Sequence, residues 1–168
     1  NQNFNFIEVP NTGEYKCADF VPVIGETYRL SIRYNGNTYS AQEVMQPVAE
    51  ISKVEQNNNG GFSGKNIELK AHYIDPSVAK NYYLYRYTYS TQVTSNFYTD
   101  EDVFFNGNEF FSISQNDKIK SGDKVEINHY GISRTYFNYM SVLVSIAGNS
   151  GGGPFQSPPA TVKGNIIN

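Results

Sequence analysis

Tyr28-Arg29-Leu30-Ser31-Ile32-Arg33-Tyr34-Asn35-Gly36-Asn37-Thr38-Tyr39-Ser40-Ala41 is the stretch that decides the fold class. Tyr28, Leu30, Ile32 and Tyr34 alternate with Arg29, Ser31 and Arg33, the period of two that marks a strand with one buried and one wet face. Asn35-Gly36 supplies the two positive-φ positions of a type I′ turn, so Asn37 to Ala41 is the returning strand of a β-hairpin.

The rest of the composition agrees with a β fold. Of the 168 residues 15% are aromatic, almost evenly Tyr and Phe with no Trp; Asn is abundant, and Ala and Leu are scarce. Such a mixture suits strands and turns better than helices. A chain of this length holds one well-filled core or two small ones. The formal charge of −3 provides no basic field to gather phosphates, which argues against nucleic acid as a partner. Cys17 is the single cysteine, so neither an internal disulfide nor a multi-cysteine metal site can form, and a small packed thiol is its expected role. No signal peptide and no apolar run of membrane length is present. The abrupt start at Asn1-Gln2-Asn3-Phe4 and end at Ile166-Ile167-Asn168 lead us to expect a piece of a longer protein.

Before the hairpin, strands are expected over Asn1 to Val9, alternating through Phe4 and Phe6, and over Tyr15 to Val21, separated by a turn at Pro10-Asn11-Thr12-Gly13. After it, Gln42 to Ile51 with Pro47 reads as an extended crossover and the best domain boundary. Ile51 to Glu55 alternates briefly, and Gln56-Asn57-Asn58-Asn59-Gly60-Gly61 reads as a polar loop. Further strands are expected at Asn66 to Tyr73, Tyr82 to Ser90, Phe110 to Ser114 and Lys124 to Tyr130. The period then changes. Ser133 can cap a helix whose stripe is Tyr136, Met140, Leu143 and Ala147, widened by Tyr139, Val142 and Ile146. Gly148 and Asn149 suit its end, Phe155 to Pro159 reads as extended, and Ala160 to Val162 as a last edge strand. The expected class is therefore mostly β: an immunoglobulin-like or β-sandwich architecture with one α-helix near the C-terminus.

Candidate binding residues come from two places. Tyr83, Tyr85, Tyr87 and Tyr89 share one face of a strand, either as an exposed platform for sugar rings or a protein partner, or as the inner face of a sandwich. Asp100, Glu101 and Asp102, followed by a turn at Asn106-Gly107, read as a solvated acidic turn without the ligand spacing of a calcium loop. The candidate ligand- or partner-binding residues are thus Tyr83, Tyr85, Tyr87, Tyr89, Asp100, Asp102 and Asn106. His72 and His129 lack the spacing and companions of a zinc site, so no metal and no cofactor is called for. Gly60 to Asn66 departs from a phosphate loop in spacing, and no nucleophile elbow is present, so no catalytic residue is assigned.

Several segments, in order, resemble an uncharacterised bacterial family, the domain of unknown function numbered 4249. They are Gly25-Glu26-Thr27-Tyr28-Arg29-Leu30-Ser31-Ile32, Gly36-Asn37-Thr38-Tyr39-Ser40-Ala41, Asp75-Pro76, Asn81-Tyr82-Tyr83, Tyr136 to Leu143, Pro154-Phe155, Pro158 and Gly164-Asn165-Ile166. The resemblance implies an exported lipoprotein of Bacteroidetes-type bacteria, located in the cell envelope at the outer membrane or cell surface. It implies an accessory role beside a TonB-dependent outer-membrane transporter, and a lipid-attachment cysteine upstream that Cys17 does not match. On this reading residues 1–46 are the closing strands of an immunoglobulin-like domain, and 47–168 a second sandwich-like domain with a helix at about 134–147. The expected function is non-catalytic, with a transporter protein as partner and the Tyr83 to Tyr89 face or the Thr99 to Asn108 region as contact surface. A carbohydrate-binding module using exposed tyrosines is the alternative, with glycan or peptide as ligand.

Overall fold

The computed structural model describes residues 2–61, 63–114, 116–147 and 162–168. Among these residues ten strands precede one α-helix: β1 (Ile7–Glu8), β2 (Tyr15–Lys16), β3 (Thr27–Tyr34), β4 (Asn37–Val44), β5 (Lys53–Gly60), β6 (Asn66–Ile74), β7 (Tyr82–Tyr89), β8 (Asn96–Glu101), β9 (Glu109–Ile113), β10 (Val125–Gly131) and α1 (Arg134–Ile146). The protein is mostly β, its strands all pairing antiparallel. The expected Gly148 and Asn149 stop, the extended 155–159 segment and most of the proposed last strand lie outside the described residues.

The hairpin forms as its sequence demands. Tyr34 pairs with Asn37, and Asn35 and Gly36 take φ of 49° and 79°, the left-handed pair of a type I′ turn. Its apolar face is not buried, however: Leu30, Ile32 and Tyr34 are 49%, 45% and 65% exposed. Alternation made the two faces different, but among the described residues no second sheet covers the apolar one. The two expected strands before it shrink to the residue pairs of β1 and β2, beside a cluster in which Phe20 meets Phe4, Phe6 and Tyr28 edge-on or tilted. Cys17 is a half-buried free thiol.

Two three-stranded sheets, β5-β6-β9 and β10-β7-β8, face each other across the main core. Leu69, Ala71 and Tyr73 point inward from β6, and Tyr83, Tyr85, Tyr87 and Tyr89 meet them from β7. The stretch Gln56 to Gly60 corrects the loop expected there, because it continues β5 as an edge strand with an irregularity between Asn57 and Gly60. An edge strand whose side chains are all wet needs only its backbone to pair, which a polar Asn run permits.

The second sheet is covered on its other side. Leu84 and Ile132 pack with Met140 and Val144 of α1, and Thr99 Oγ1 lies 3.0 Å from Ser141 Oγ. Ser133 caps the helix, accepting from the Tyr136 N–H at 3.1 Å. The buried stripe is Phe137, Met140 and Val144, whereas Tyr136, Leu143 and Ile146 are exposed, so the face is rotated from the one expected. Apolar residues ring this helix widely, and contact with Leu84 selects among them.

At the end of β10, Gly131 passes so close to Pro47 that an added Cβ would lie 1.8 Å from the Pro47 carbonyl oxygen. Only a residue without a side chain admits that crossing. Gly131→Ala is expected to lower stability by about 2 kcal/mol or more, read from denaturant unfolding. A second expectation concerns the core. Tyr87 Oη and Ser112 Oγ lie 2.6 Å apart and buried. Tyr87→Phe is expected to cost about 1–2 kcal/mol by stranding the serine, and the added Ser112→Ala to cost less than it does alone.

Candidate functional site

The tyrosine row is the interior. Tyr83, Tyr85, Tyr87 and Tyr89 are at most 2% exposed, so they offer no platform to a sugar or a partner. The reason is that each phenol finds a buried partner on the facing side. Tyr85 Oη lies 2.6 Å from Tyr73 Oη, Tyr89 Oη 3.0 Å from Ser114 Oγ, Tyr87 binds Ser112, and Tyr83 donates to the Asp75 carboxylate. Burial raises the pKa of all four phenols, Tyr87 to about 12.

The acidic segment is not a solvated turn either. Thr99 to Glu101 closes β8, and Asp102 to Phe104 forms one turn of 3-10 helix. Asp102 is 2% exposed and accepts from the Asn81 N–H at 2.7 Å, while its own carbonyl accepts from Phe105 and Asn106. Asp100 pairs in register with Tyr83 and shares its inward face. Burial raises its carboxyl to about 6. Asn106 stays exposed. Asp102 therefore holds the structure from within, while Asp100 is enclosed beside Tyr83.

Asp102 and the buried Asp75 together hold a tip. Asp75 accepts from the Gly107 N–H at 3.1 Å, and its own N–H donates to the Asn108 carbonyl at 3.0 Å, which ties 75–81 to 102–108. Phe105 turns in and stacks on Phe110 at a centroid separation of 3.8 Å. Its neighbour Phe104 turns out and is 96% exposed, with Val103 half exposed and Val78 94% exposed on the adjoining segment. Lys80 pairs with Glu101 at 3.0 Å beside them. Exposed aliphatic and aromatic side chains on a braced, polar-rimmed loop are the chemistry of a protein contact. Two adjacent phenylalanines between Asp102 and Asn106 were the available signal, because successive residues cannot both enter one core.

The histidines are kept apart. His72 stands on the outer face of β6, its two ring nitrogens 3.0 Å from Glu109 and 3.1 Å from Glu55. His129 is enclosed by Tyr73, Tyr83 and Tyr85 at centroid separations of 4.5, 4.8 and 4.8 Å. Among the described residues no group of three or more His, Cys, Asp and Glu side chains could hold a metal.

The model of a family described as Domain of unknown function (DUF4249) matches residues 1–168. The chain belongs to this family. No curated protein and no solved structure matches it. The family's description names no activity.

Two enclosed ionisable groups, His129 and Asp100, predict a pH response. Burial lowers the His129 imidazole to about 4 from 6.5, the nearby Ala49 backbone opposing this only in part, and among the described residues neither ring nitrogen has a hydrogen-bond partner. An imidazole that protonates first in the unfolded chain withdraws stability as pH falls from 6.5 towards 4, by at most about 1.4 kcal/mol per pH unit. Asp100 acts oppositely: with its folded value raised to about 6 from 3.8, its contribution is complete below 3.8 and lost as pH rises through 6. Calorimetric melts of Asp100→Asn are expected to fall more steeply between pH 6 and 4 than the parent, and those of His129→Phe less steeply.

Proposed function

We propose that the chain is a non-catalytic docking domain of a cell-envelope lipoprotein, accessory to a TonB-dependent outer-membrane transporter in nutrient capture or uptake. The observation that carries this reading is the tip: Phe104 and Val78 stand almost fully exposed on segments whose backbone is pinned by the buried carboxylates of Asp75 and Asp102. Rigid apolar anchors lose little conformational freedom on binding and seat in a pocket of a facing protein. Burying Phe104 alone is worth about 1.5–3 kcal/mol, enough to decide whether a modest complex forms.

The resemblance of its segments to exported lipoproteins supports the envelope setting. A carbohydrate-binding module would need a surface other than the tyrosine row, whose rings lie in the core. The docking reading uses the Thr99 to Asn108 region, with its contact made by the apolar residues rather than the acids.

The test uses the full-length lipidated protein as bait on envelope membranes, with partners identified by mass spectrometry. One stoichiometric outer-membrane transporter is expected, and Phe104→Asp is expected to lose it at an unchanged melting temperature. A lane without a transporter, or one insensitive to Phe104→Asp, would sink the proposal.

A further inference from the structure

A second feature, away from the tip and independent of the docking reading, is an open cleft of about 540 Å³ between the hairpin base and the outer face of the β10-β7-β8 sheet. Its volume falls within the roughly 300–1,000 Å³ of small-molecule sites. Phe20, Tyr28 and Val44 form one wall, and Leu84, Phe97 and Tyr130 line the sheet side. The walls are tied together. Tyr28 Oη accepts from the Val23 N–H at 2.7 Å, Phe20 meets the Tyr28 ring edge-on at 5.2 Å, and Ser133 Oγ donates to Glu43 Oε2 at 2.9 Å across the hairpin and the helix start.

The charges in this cleft are unequal in their freedom. Glu43 is occupied, one carboxylate oxygen by the Ser133 hydroxyl and the other by the Val44 N–H at 3.0 Å. Arg86, the lining's cation, is held by Asn128, whose Oδ1 accepts from Nε at 3.1 Å and Nη2 at 2.9 Å. Glu126 stands 3.9 Å from Nη2, and among the described residues Nη1 has no acceptor. A guanidinium oriented through one edge, with donors to spare beside an apolar wall, matches a carboxylate attached to an apolar body.

We propose that this cleft binds a small amphiphile, an apolar chain or ring system bearing one acidic head, with the acid on Arg86 and the body against Phe20, Leu84 and Phe97. Decanoate and its neutral counterpart decan-1-ol are the probes, titrated into the purified chain by calorimetry. One saturable decanoate site per chain is expected. Arg86→Gln is expected to weaken decanoate by about tenfold or more while leaving decan-1-ol nearly unchanged. Val44→Trp, on the hairpin rim, is expected to fill the cleft and abolish both, with circular dichroism and melting temperature retained. Absence of saturable binding, or binding indifferent to both substitutions, would overturn the proposal. So would a concentration-dependent dimer that Val44→Trp dissolves, because the cleft would then belong to a second copy of the chain.

Discussion

Four phenols must be satisfied inside one core, and much of the structure follows from that demand. β7 sends Tyr83, Tyr85, Tyr87 and Tyr89 into the space between the sheets, where water cannot serve as partner. Their hydroxyls end on Asp75, Tyr73, Ser112 and Ser114, all contributed by β6, β9 or the residues just beyond them. Opposing sheets are thereby matched position by position. A slip of one residue would turn the tyrosines out and leave the serines and Asp75 buried without partners.

The same constraint reaches the tip. Asp75 accepts from Tyr83 with one carboxylate oxygen and from the Gly107 N–H with the other, so one side chain joins the core to the loop. Asp102 completes the brace at Asn81. Phe105 sits on the core side of this brace and Phe104 on the solvent side. The acids contribute by setting the direction in which the apolar residues face, and their own carboxylates are withdrawn from solvent.

On the opposite side of β7, the residues between the tyrosines serve two ends. Leu84 meets Met140 and Val144 of α1 and borders the cleft, which Arg86 and its cross-strand partner Phe97 also line. A helix of 13 residues extends about 20 Å, and its contacts with this sheet centre on the Leu84 end. The hairpin base and Phe20 form the remaining wall. Cover by a helix at one end and by a tethered hairpin at the other leaves space between them.

Backbone preference was legible in the residues themselves. The alternation of Tyr28 to Tyr34, the Asn35-Gly36 turn, the ends of β6 at Asp75-Pro76 and the Ser133 cap each depend on neighbours within a few positions. β5 was half hidden because an all-polar edge strand carries no alternation, and β8 because its residues are divided between the core and the helix. Direction was a different matter. Tyrosine suits a wet platform and a dry core alike, and only the facing partners decide that the row turns inward: Tyr73, Asp75, and Ser112 and Ser114 some 25 residues away in sequence. Asp102 reads as a surface acid until Asn81 supplies its N–H, 21 residues away. Local sequence determined where strands, turns and the helix begin and end, because those choices rest on backbone sterics and short-range hydrogen bonds. Which face is buried, which acids are structural and which apolar residues stand free were decided by tertiary structure, because burial belongs to the pair of surfaces that meet.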